Sequence, residues 1–329
     1  MTPPRAPIAA PSAWEGRRLR QRTDWIEVLT AAELAEIGRA IETSGVREMP
    51  CERITMGDFP LPGLADRLGD AAAEVRDGRG FCLLRGFPAA AYTVDDACRI
   101  FWALGLHFGT PVSQNSDGDL LGHVTDRGGD IKDARTRGYQ TRGDLRFHTD
   151  RADVTGLFCV RPALRGGHSS LVSSMTIHNA IAATRPDLLA YLYEGYPIIH
   201  VEEGGRAAPR RVPVYSIADG VLSCGIQRNT VEKAIRAKVM PVAPEALAAL
   251  DLFDRLANDP DLRLDFDLEA GDMLFVNNHT AMHARTSFED HGEPARNRSL
   301  ARLWLRFDRA GPGAAPFADT VGVANRKRR

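Results

Sequence analysis

A histidine and an aspartate two residues apart stand out first, in the segment LRFHTD at positions 145–150. Alternate residues of a β-strand project to the same side, so His148 and Asp150 would present an imidazole and a carboxylate to one metal ion. This spacing is common by chance. His200 and His291 each stand two residues before a glutamate, beside loops where a solvated pair is expected. The pair therefore needs further ligands to become a site.

A second segment, residues 268–286, contains two histidines four residues apart. On a helix, His279 and His283 would resemble the zinc pair of metallopeptidases, but Thr280 stands where those enzymes need a glutamate. The preceding run, from Met273 to Val276, is strand-like. One histidine is thus expected to be a third ligand from a distant strand, and the other a structural residue satisfied by hydrogen bonds.

Three arginines spaced by four, Arg298, Arg302 and Arg306, would lie on one face of a strand together with Leu300 and Trp304. If buried, guanidinium groups need anions, because an unpaired buried charge is costly and a carboxylate compensates it well. A solvated arginine face on an edge strand is the alternative. Two imidazoles and one carboxylate on a small β-barrel form the facial triad of non-heme Fe(II) oxygenases, where an inward arginine would balance a dicarboxylate co-substrate.

The elements that must position these residues are mostly short strands. Strand patterns are expected at residues 81–84, 120–124, 156–160, 169–173, 212–216, 262–268, 273–276 and 300–307. Capping boxes open helices at Thr30 and Thr93, and further helical patterns cover 175–194 and 244–257. Without strict βα alternation, this order predicts a sandwich or jelly roll with helices packed outside. The polar segments 126–144 and 202–211 are expected to be loops, either binding loops or surface disorder.

The composition favours a small-molecule partner. The chain has 329 residues, 43% of them apolar and 26% charged, with a net charge of −1. That charge gives no bulk field to attract nucleic acid or an anionic membrane, and no apolar stretch approaches the roughly eighteen residues of a membrane span. We expect a cytoplasmic protein and leave a homo-oligomer open. Five scattered cysteines predict small core residues instead of disulfides or a zinc site.

The order of the motifs resembles the taurine dioxygenase (TauD/TfdA) family of Fe(II)- and 2-oxoglutarate-dependent oxygenases. The motifs are H-T-D, then G-G-x-S, then G-D-x-x-F-x-N-N-x-x-x-x-H-x-R-T and R-x-x-x-R, over roughly residues 80–308. The resemblance implies an α+β fold, mainly β, with a double-stranded β-helix (jelly-roll) core and flanking helices. The first 25 residues are rich in proline, alanine and arginine and show no period, so they predict an extended arm on the surface (1–25). A single oxygenase domain with a jelly-roll core and helical insertions (26–310) and a C-terminal tail (311–329) would follow.

The resemblance also implies the cofactors and their ligands. Fe(II) would be held by His148, Asp150 and His283, and 2-oxoglutarate and O2 would be co-substrates. The far carboxylate of 2-oxoglutarate would pair with Arg298 and with the hydroxyl of Ser169, which we prefer to that of Ser170. Arg302 would face the same cavity and assist the co-substrate or meet an anionic group of the substrate.

Substrate contacts are expected by family position from Asn115, Tyr139 and Gln140, and from Arg151 beside the metal motif. Arg146, on the other side of that motif, also departs from the small, polar or apolar residues expected there, so both arginines suit a carboxylated or phosphorylated substrate or are solvated. For the three family positions, a structural hydrogen-bonding role is the alternative.

The implied activity is oxidative decarboxylation of 2-oxoglutarate to succinate and CO2, coupled to C–H hydroxylation, desaturation or epoxidation of a small polar or anionic molecule. Asp150 disfavours halogenation, because related halogenases have glycine or alanine at that position. The main alternative is a cupin-like metal-binding protein or an inactive sensor, which would not need Arg298. A nucleic-acid or histone-modifying relative is supported only by the basic residues 326–329.

Overall fold

The structure is a computed structural model that describes residues 4, 6–126, 128, 141–201, 207–218, 220–308 and 322–323. Its α-helices are α1 (Gly16–Leu19), α2 (Ala31–Thr43), α3 (Ala65–Asp77), α4 (Val94–Gly105), α5 (Ser174–Thr184), α6 (Pro186–Glu194), α7 (Arg228–Arg236) and α8 (Pro244–Ala257). Its strands are β1 (Ile26–Val28), β2 (Phe81–Arg85), β3 (Thr110–Pro111), β4 (Leu121–Val124), β5 (Leu145–His148), β6 (Val154–Arg161), β7 (Arg165–Gly166), β8 (Ser169–Ser173), β9 (Tyr196–Val201), β10 (Ala207–Val212), β11 (Tyr215–Ala218), β12 (Val221–Cys224), β13 (Arg263–Phe266), β14 (Met273–Asn277), β15 (Ala281–Arg285), β16 (Phe288–Glu289) and β17 (Ser299–Arg306).

Two sheets form the jelly roll. The larger has the order β1-β2-β14-β6-β17-β3, with β4 also paired to β17, and the smaller has the order β13-β8-β15-β5. Inward side chains of both sheets meet in one apolar cluster, to which the larger sheet contributes Phe81, Leu274 and Leu300, and the smaller sheet Leu171 and Leu264. The predicted fold, mainly β with a double-stranded β-helix core, is confirmed.

Helices cover the outer faces of both sheets. The larger sheet packs against α2, α3 and α4, and the smaller against α5, α6 and α8. The capping box at Thr30 is present, and the Thr93 side chain accepts from the Asp96 N–H. The helix expected over 175–194 is divided in two because Pro186 cannot continue α5 and instead occupies the first turn of α6.

The N-terminal arm differs from the extended surface segment expected for residues 1–25. It contains the short helix α1, and Trp14, Leu19 and Trp25 are buried in the cluster between the sheets. A backbone hydrogen bond from Gly16 N to Leu262 O attaches the arm next to β13. The arm is therefore part of the core, which its aperiodic composition did not indicate.

One further expectation was wrong, and two helices were not expected. Residues 207–211, expected to be loop, lie in β10, which pairs with β9 in an antiparallel hairpin. Helices α3 and α7 had no sequence prediction. Most of the other expected loop, 126–144, falls outside the described residues.

The cysteines are free and mostly buried, as expected. Cys51 is half-buried, and Cys82, Cys98, Cys159 and Cys224 are buried. Among the residues that the structure describes, no helix is both long enough and apolar enough to cross a membrane.

Candidate metal centre

Two histidines and an aspartate meet at neighbouring strands of the smaller sheet. His283 in β15 lies opposite His148 in β5, and their ring centroids are 4.3 Å apart. Asp150, two residues beyond β5's last residue, has Oδ1 3.9 Å from His148 Nε2 and Oδ2 3.8 Å from His283 Nε2. One ligand atom from each residue lies within 4.8 Å of the others. The distance in sequence between the two motifs is thus closed by the pairing of β15 with β5.

Local structure fixes which histidine joins the cluster. His279, at the turn between β14 and β15, is buried and lies 2.7 Å from Asp153 through its Nε2. His283 enters from β15 itself. As expected, one of the two histidines, His279, has a structural contact, and the other, His283, lies in the cluster.

The protonation states suit metal binding. His148 Nδ1 donates to the carbonyl of Arg146 at 2.8 Å, and because that carbonyl can only accept, the neutral ring keeps the lone pair of Nε2 for a ligand. Burial, with the nearby His148 and Arg302, lowers the pKa of His283 to about 3, although Asp150 opposes the shift. Burial alone would raise the pKa of Asp150, but Arg302, both imidazoles and the Trp304 N–H hold it below its ordinary value. Metal binding requires neutral imidazole and ionised carboxylate, and these shifts favour both.

Arg302 is buried beside this cluster. Its Nη1 lies 3.6 Å from Asp150 Oδ2, its Nε donates to Gln114 Oε1 at 2.8 Å, and its guanidinium carbon lies 4.8 Å from the centre of the Trp304 ring. Arg306, the third arginine of the series, is exposed at the end of β17. The prediction of inward arginines is therefore confirmed for Arg302 and wrong for Arg306.

Arg298 lies at the other end of the arginine series, one residue before β17 begins. Its side chain is buried, with 5% of the residue exposed, yet its guanidinium makes no hydrogen bond or ion pair with any described residue. It stacks on Phe288 at 5.0 Å and lines a cavity of about 270 Å³ with residues that include Gly167 and Leu268. Burial lowers the pKa of Arg298, although Cys159 and Asp290 oppose the shift. Because β17 is paired on both sides, the solvated edge strand considered for this segment is wrong.

Arg285 is a buried residue that the sequence reasoning missed. It shares the inward face of β15 with His283, stacks on Phe288 at 4.7 Å and donates through Nη2 to the carbonyls of Thr141 and Gly143. Burial, reinforced by repulsion from Arg298, lowers the pKa of Arg285 to about 10. Its position two residues after His283, in the H-x-R-T motif, could have predicted this, since alternate residues of a strand share a face.

The predicted co-substrate hydroxyl has the expected orientation. Ser169 shares its face of β8 with Leu171, which belongs to the cluster between the sheets. Ser170 lies on the opposite face and donates to Asp265 at 2.6 Å. Because Ser169 faces the space between the sheets and Ser170 does not, Ser169 is the better candidate for the co-substrate hydroxyl, and this role stays a prediction.

The predicted substrate contacts have mixed outcomes. Asn115 is half-buried, and its amide bonds to Asp119 and to the N–H of Asp117 within a turn. Arg151 is half-buried next to Asp150, and its carbonyl accepts from Gly322 N. Tyr139 and Gln140 lie outside the described residues.

Comparison with known proteins gives consistent matches. The model of the family described as "Taurine catabolism dioxygenase TauD, TfdA family" matches residues 46–304. FR-33289 synthase of Streptomyces rubellomurinus is 29% identical over 311 residues, which cover 92% of this chain and 91% of the relative. Uridine-5'-phosphate dioxygenase of a Streptomyces species is 27% identical over 252 residues, which cover 71% of this chain and 88% of the relative.

Solved structures share the fold. An asparagine oxygenase in complex with Fe(II), 2S,3S-3-hydroxyasparagine and succinate has a TM-score of 0.66 and 14% identity, covering 85% of this chain and 93% of that one. The non-heme iron oxygenase OrfP, in complex with Fe and alpha-ketoglutaric acid, has a TM-score of 0.62 and 15% identity, covering 86% and 94%.

Proposed function

Since this chain belongs to the taurine catabolism dioxygenase TauD, TfdA family and is an Fe(II)- and 2-oxoglutarate-dependent oxygenase, we propose that His148, Asp150 and His283 bind its iron and that Arg298 binds its 2-oxoglutarate. One observation carries the proposal. Arg298, one residue before β17 begins, has a buried guanidinium without a partner among the described residues. It lies four residues from Arg302, whose Nη1 is 3.6 Å from Asp150 Oδ2.

The donor set fits iron. Two imidazole nitrogens and one carboxylate are the ligands of the facial triad, which leaves positions open for a chelating co-substrate and O2. The tautomer of His148 and the lowered pKa of His283 supply both nitrogens in the form that binds metal.

The surroundings of Arg298 fit the far carboxylate of 2-oxoglutarate. A buried guanidinium without an anion is costly, and a carboxylate bound through two hydrogen bonds compensates it. The cavity at Arg298 has a mixed lining, in which Leu268 and Leu300 are apolar side chains that suit the two methylene groups of the co-substrate. Ser169, on the inward face of β8, is the proposed hydroxyl partner.

When bound, the iron supplies, with 2-oxoglutarate and O2, the oxidising power to hydroxylate, desaturate or epoxidise a substrate as 2-oxoglutarate yields succinate and CO2. The residues of this chain bind and orient the reactants. Burial between the sheets keeps Asp150 and His283 away from bulk water, so the field of Arg302 acts on the site with little screening.

We propose a small anionic or polar substrate. Positive charge lies beside the site at Arg302, whose Nη1 is 3.6 Å from Asp150, whereas Arg146 pairs with Glu232 and its side chain is 60% exposed. Arg151, which follows Asp150 in the sequence, stays a proposed substrate contact. The name of the relative that acts on uridine-5'-phosphate supports an anionic group. Asn115, Tyr139 and Gln140 stay proposed substrate contacts, and a small-molecule partner and a cytoplasmic location belong to the same proposal.

Anaerobic titration of the Fe(II)-loaded protein with 2-oxoglutarate tests the assignment, followed by the visible metal-to-ligand charge-transfer band. We expect the band in the unaltered protein and none in Asp150→Ala. Arg298→Met should weaken 2-oxoglutarate binding by at least about 30-fold, because it removes one partner of a buried charge pair. Arg306→Met, at the exposed end of β17, is the matched control and should change binding by less than about twofold.

Two outcomes would contradict the proposal. Absence of the band in the folded, unaltered protein would remove the iron and co-substrate site. Unchanged 2-oxoglutarate affinity in Arg298→Met would exclude Arg298 as the carboxylate partner and favour Arg285, the other buried arginine stacked on Phe288.

A further inference from the structure

Among the residues that the structure describes, hydrogen-bond donors reach only one of the two carboxylate oxygens of Asp150. Oδ2 accepts from Trp304 Nε1 at 2.8 Å and from Thr155 Oγ1 at 3.0 Å. No residue in the described parts of the chain donates to Oδ1, from which His148 Nε2 lies 3.9 Å away. The two oxygens of this buried carboxylate are thus in different environments.

The direction of each hydrogen bond to Oδ2 is fixed. An indole N–H can only donate. The Thr155 hydroxyl accepts from Asn278 Nδ2 at 3.0 Å, so its own hydrogen is directed to Asp150, while Asn278 Oδ1 accepts the main-chain N–H of Asp150 at 2.9 Å. Two donors use both lone-pair directions of Oδ2, and the lone pairs that remain for a metal are those of Oδ1.

Trp304 is itself held firmly. It is buried in the central part of β17, and the guanidinium of Arg302 lies against its ring, which resists rotation of the indole. The Nε1–H of Trp304 also favours the ionised form of Asp150 and thus contributes to the lowered pKa of that carboxyl group.

We propose that Trp304 is a positioning residue for Asp150: its indole N–H, together with the Thr155 hydroxyl, occupies Oδ2, so that the carboxylate offers the iron a single oxygen, Oδ1. Binding through one oxygen keeps a coordination position that a carboxylate bound through both would fill, and an oxygenase needs such positions for its co-substrate and O2. The inference rests on the proposed metal site.

The test measures metal binding without turnover. Mn(II) affinity, followed by the electron paramagnetic resonance of the free ion, is compared between the unaltered protein and Trp304→Phe, which keeps an aromatic ring but removes the N–H. We expect the dissociation constant to rise by about 10- to 100-fold, the usual effect of removing a partner that orients a metal ligand. Thr155→Val, which removes the other donor, should act in the same direction.

Trp102→Phe is the matched control. Trp102 is also buried, and its Nε1 donates to the carbonyl of Ile54 at 3.1 Å in a part of the core that packs on the outer face of the larger sheet. This variant should lose stability but keep the Mn(II) affinity within about threefold, since it lacks contact with the metal ligands. The visible spectrum of the Co(II) form, which reports coordination number, should change in Trp304→Phe and not in Trp102→Phe.

The outcomes separate the inference from the site on which it rests. Failure of the unaltered protein to bind Mn(II), or equal binding by Asp150→Ala, would overturn the proposed metal site. Normal binding by the unaltered protein with the same affinity and the same Co(II) spectrum in Trp304→Phe and Thr155→Val would overturn the positioning role alone.

Discussion

Gln114 Oε1 accepts a 2.8 Å hydrogen bond from Nε of Arg302, and both side chains are buried. The amide of Gln114 cannot turn, because its Nε2 donates to the carbonyls of Leu120 and Arg302. Gln114 therefore fixes the direction in which the guanidinium of Arg302 reaches Asp150. Asn115, the neighbour chosen from the sequence, instead accepts the main-chain N–H groups of Asp117 and Asp119 within a turn.

This contact predicts different effects of substitutions at the two neighbouring positions. Gln114→Leu removes the acceptor of Arg302 Nε and the donor of two carbonyls, and should lower the free energy of unfolding by about 1–3 kcal/mol, the cost of leaving buried polar groups unsatisfied. Asn115→Ala, in the half-buried turn, should cost less than about 1 kcal/mol. Urea unfolding of both variants checks this. Equal losses would mean that the contact of Gln114 with Arg302 does not stabilise the fold.

Substitution of the two histidines of the 268–286 segment by glutamine should affect different properties, the stability of the fold for His279 and the affinity for metal for His283. His279→Gln breaks the buried contact with Asp153 and should lower the free energy of unfolding by about 2–3 kcal/mol while the folded protein still binds metal. His283→Gln removes a proposed ligand and should weaken Mn(II) binding by more than about 100-fold with a smaller change in stability. Urea unfolding and Mn(II) titration measure the two effects. The reverse pattern would assign the ligand to His279.

Much of the site was predictable because its residues follow strand periodicity. The spacing of His148 and Asp150 and the alternation of Arg298 with Arg302 are local patterns. The structure has His148 beside Asp150 and both arginines buried. Spacing within one motif does not predict its register with another, so the contact between Arg302 of the larger sheet and Asp150, which follows β5 of the smaller sheet, was indicated only by the order of the motifs.

The partners of the site residues were not predictable in the same way. Gln114, Thr155 and Asn278 reach Arg302 and Asp150 only through strand pairing and a turn, which no pattern in their own segments reveals. Trp304 was visible in the arginine segment, but its contact with Asp150 depends on β17 of the larger sheet lying close to the metal motif that follows β5 of the smaller sheet. The arm was missed for a related reason, because isolated tryptophans without a period give no sign of what they pack against.

The attachment of the arm predicts a steric effect at Gly16. A Cβ at this position would lie 1.8 Å from the carbonyl oxygen of Arg263, a backbone atom that cannot move without disturbing β13. Gly16→Ala should therefore lower the free energy of unfolding by about 1–3 kcal/mol, as overpacking of a core does. Gly69→Ala is the control: this exposed position in α3 has no heavy atom within 4 Å of the added Cβ, and the higher helix propensity of alanine should raise stability by about 0.5–1 kcal/mol. Thermal and urea unfolding of both variants measure the difference. If Gly16→Ala unfolds like the unaltered protein, the arm does not pack against β13 in solution and Trp14 and Leu19 are not part of the core.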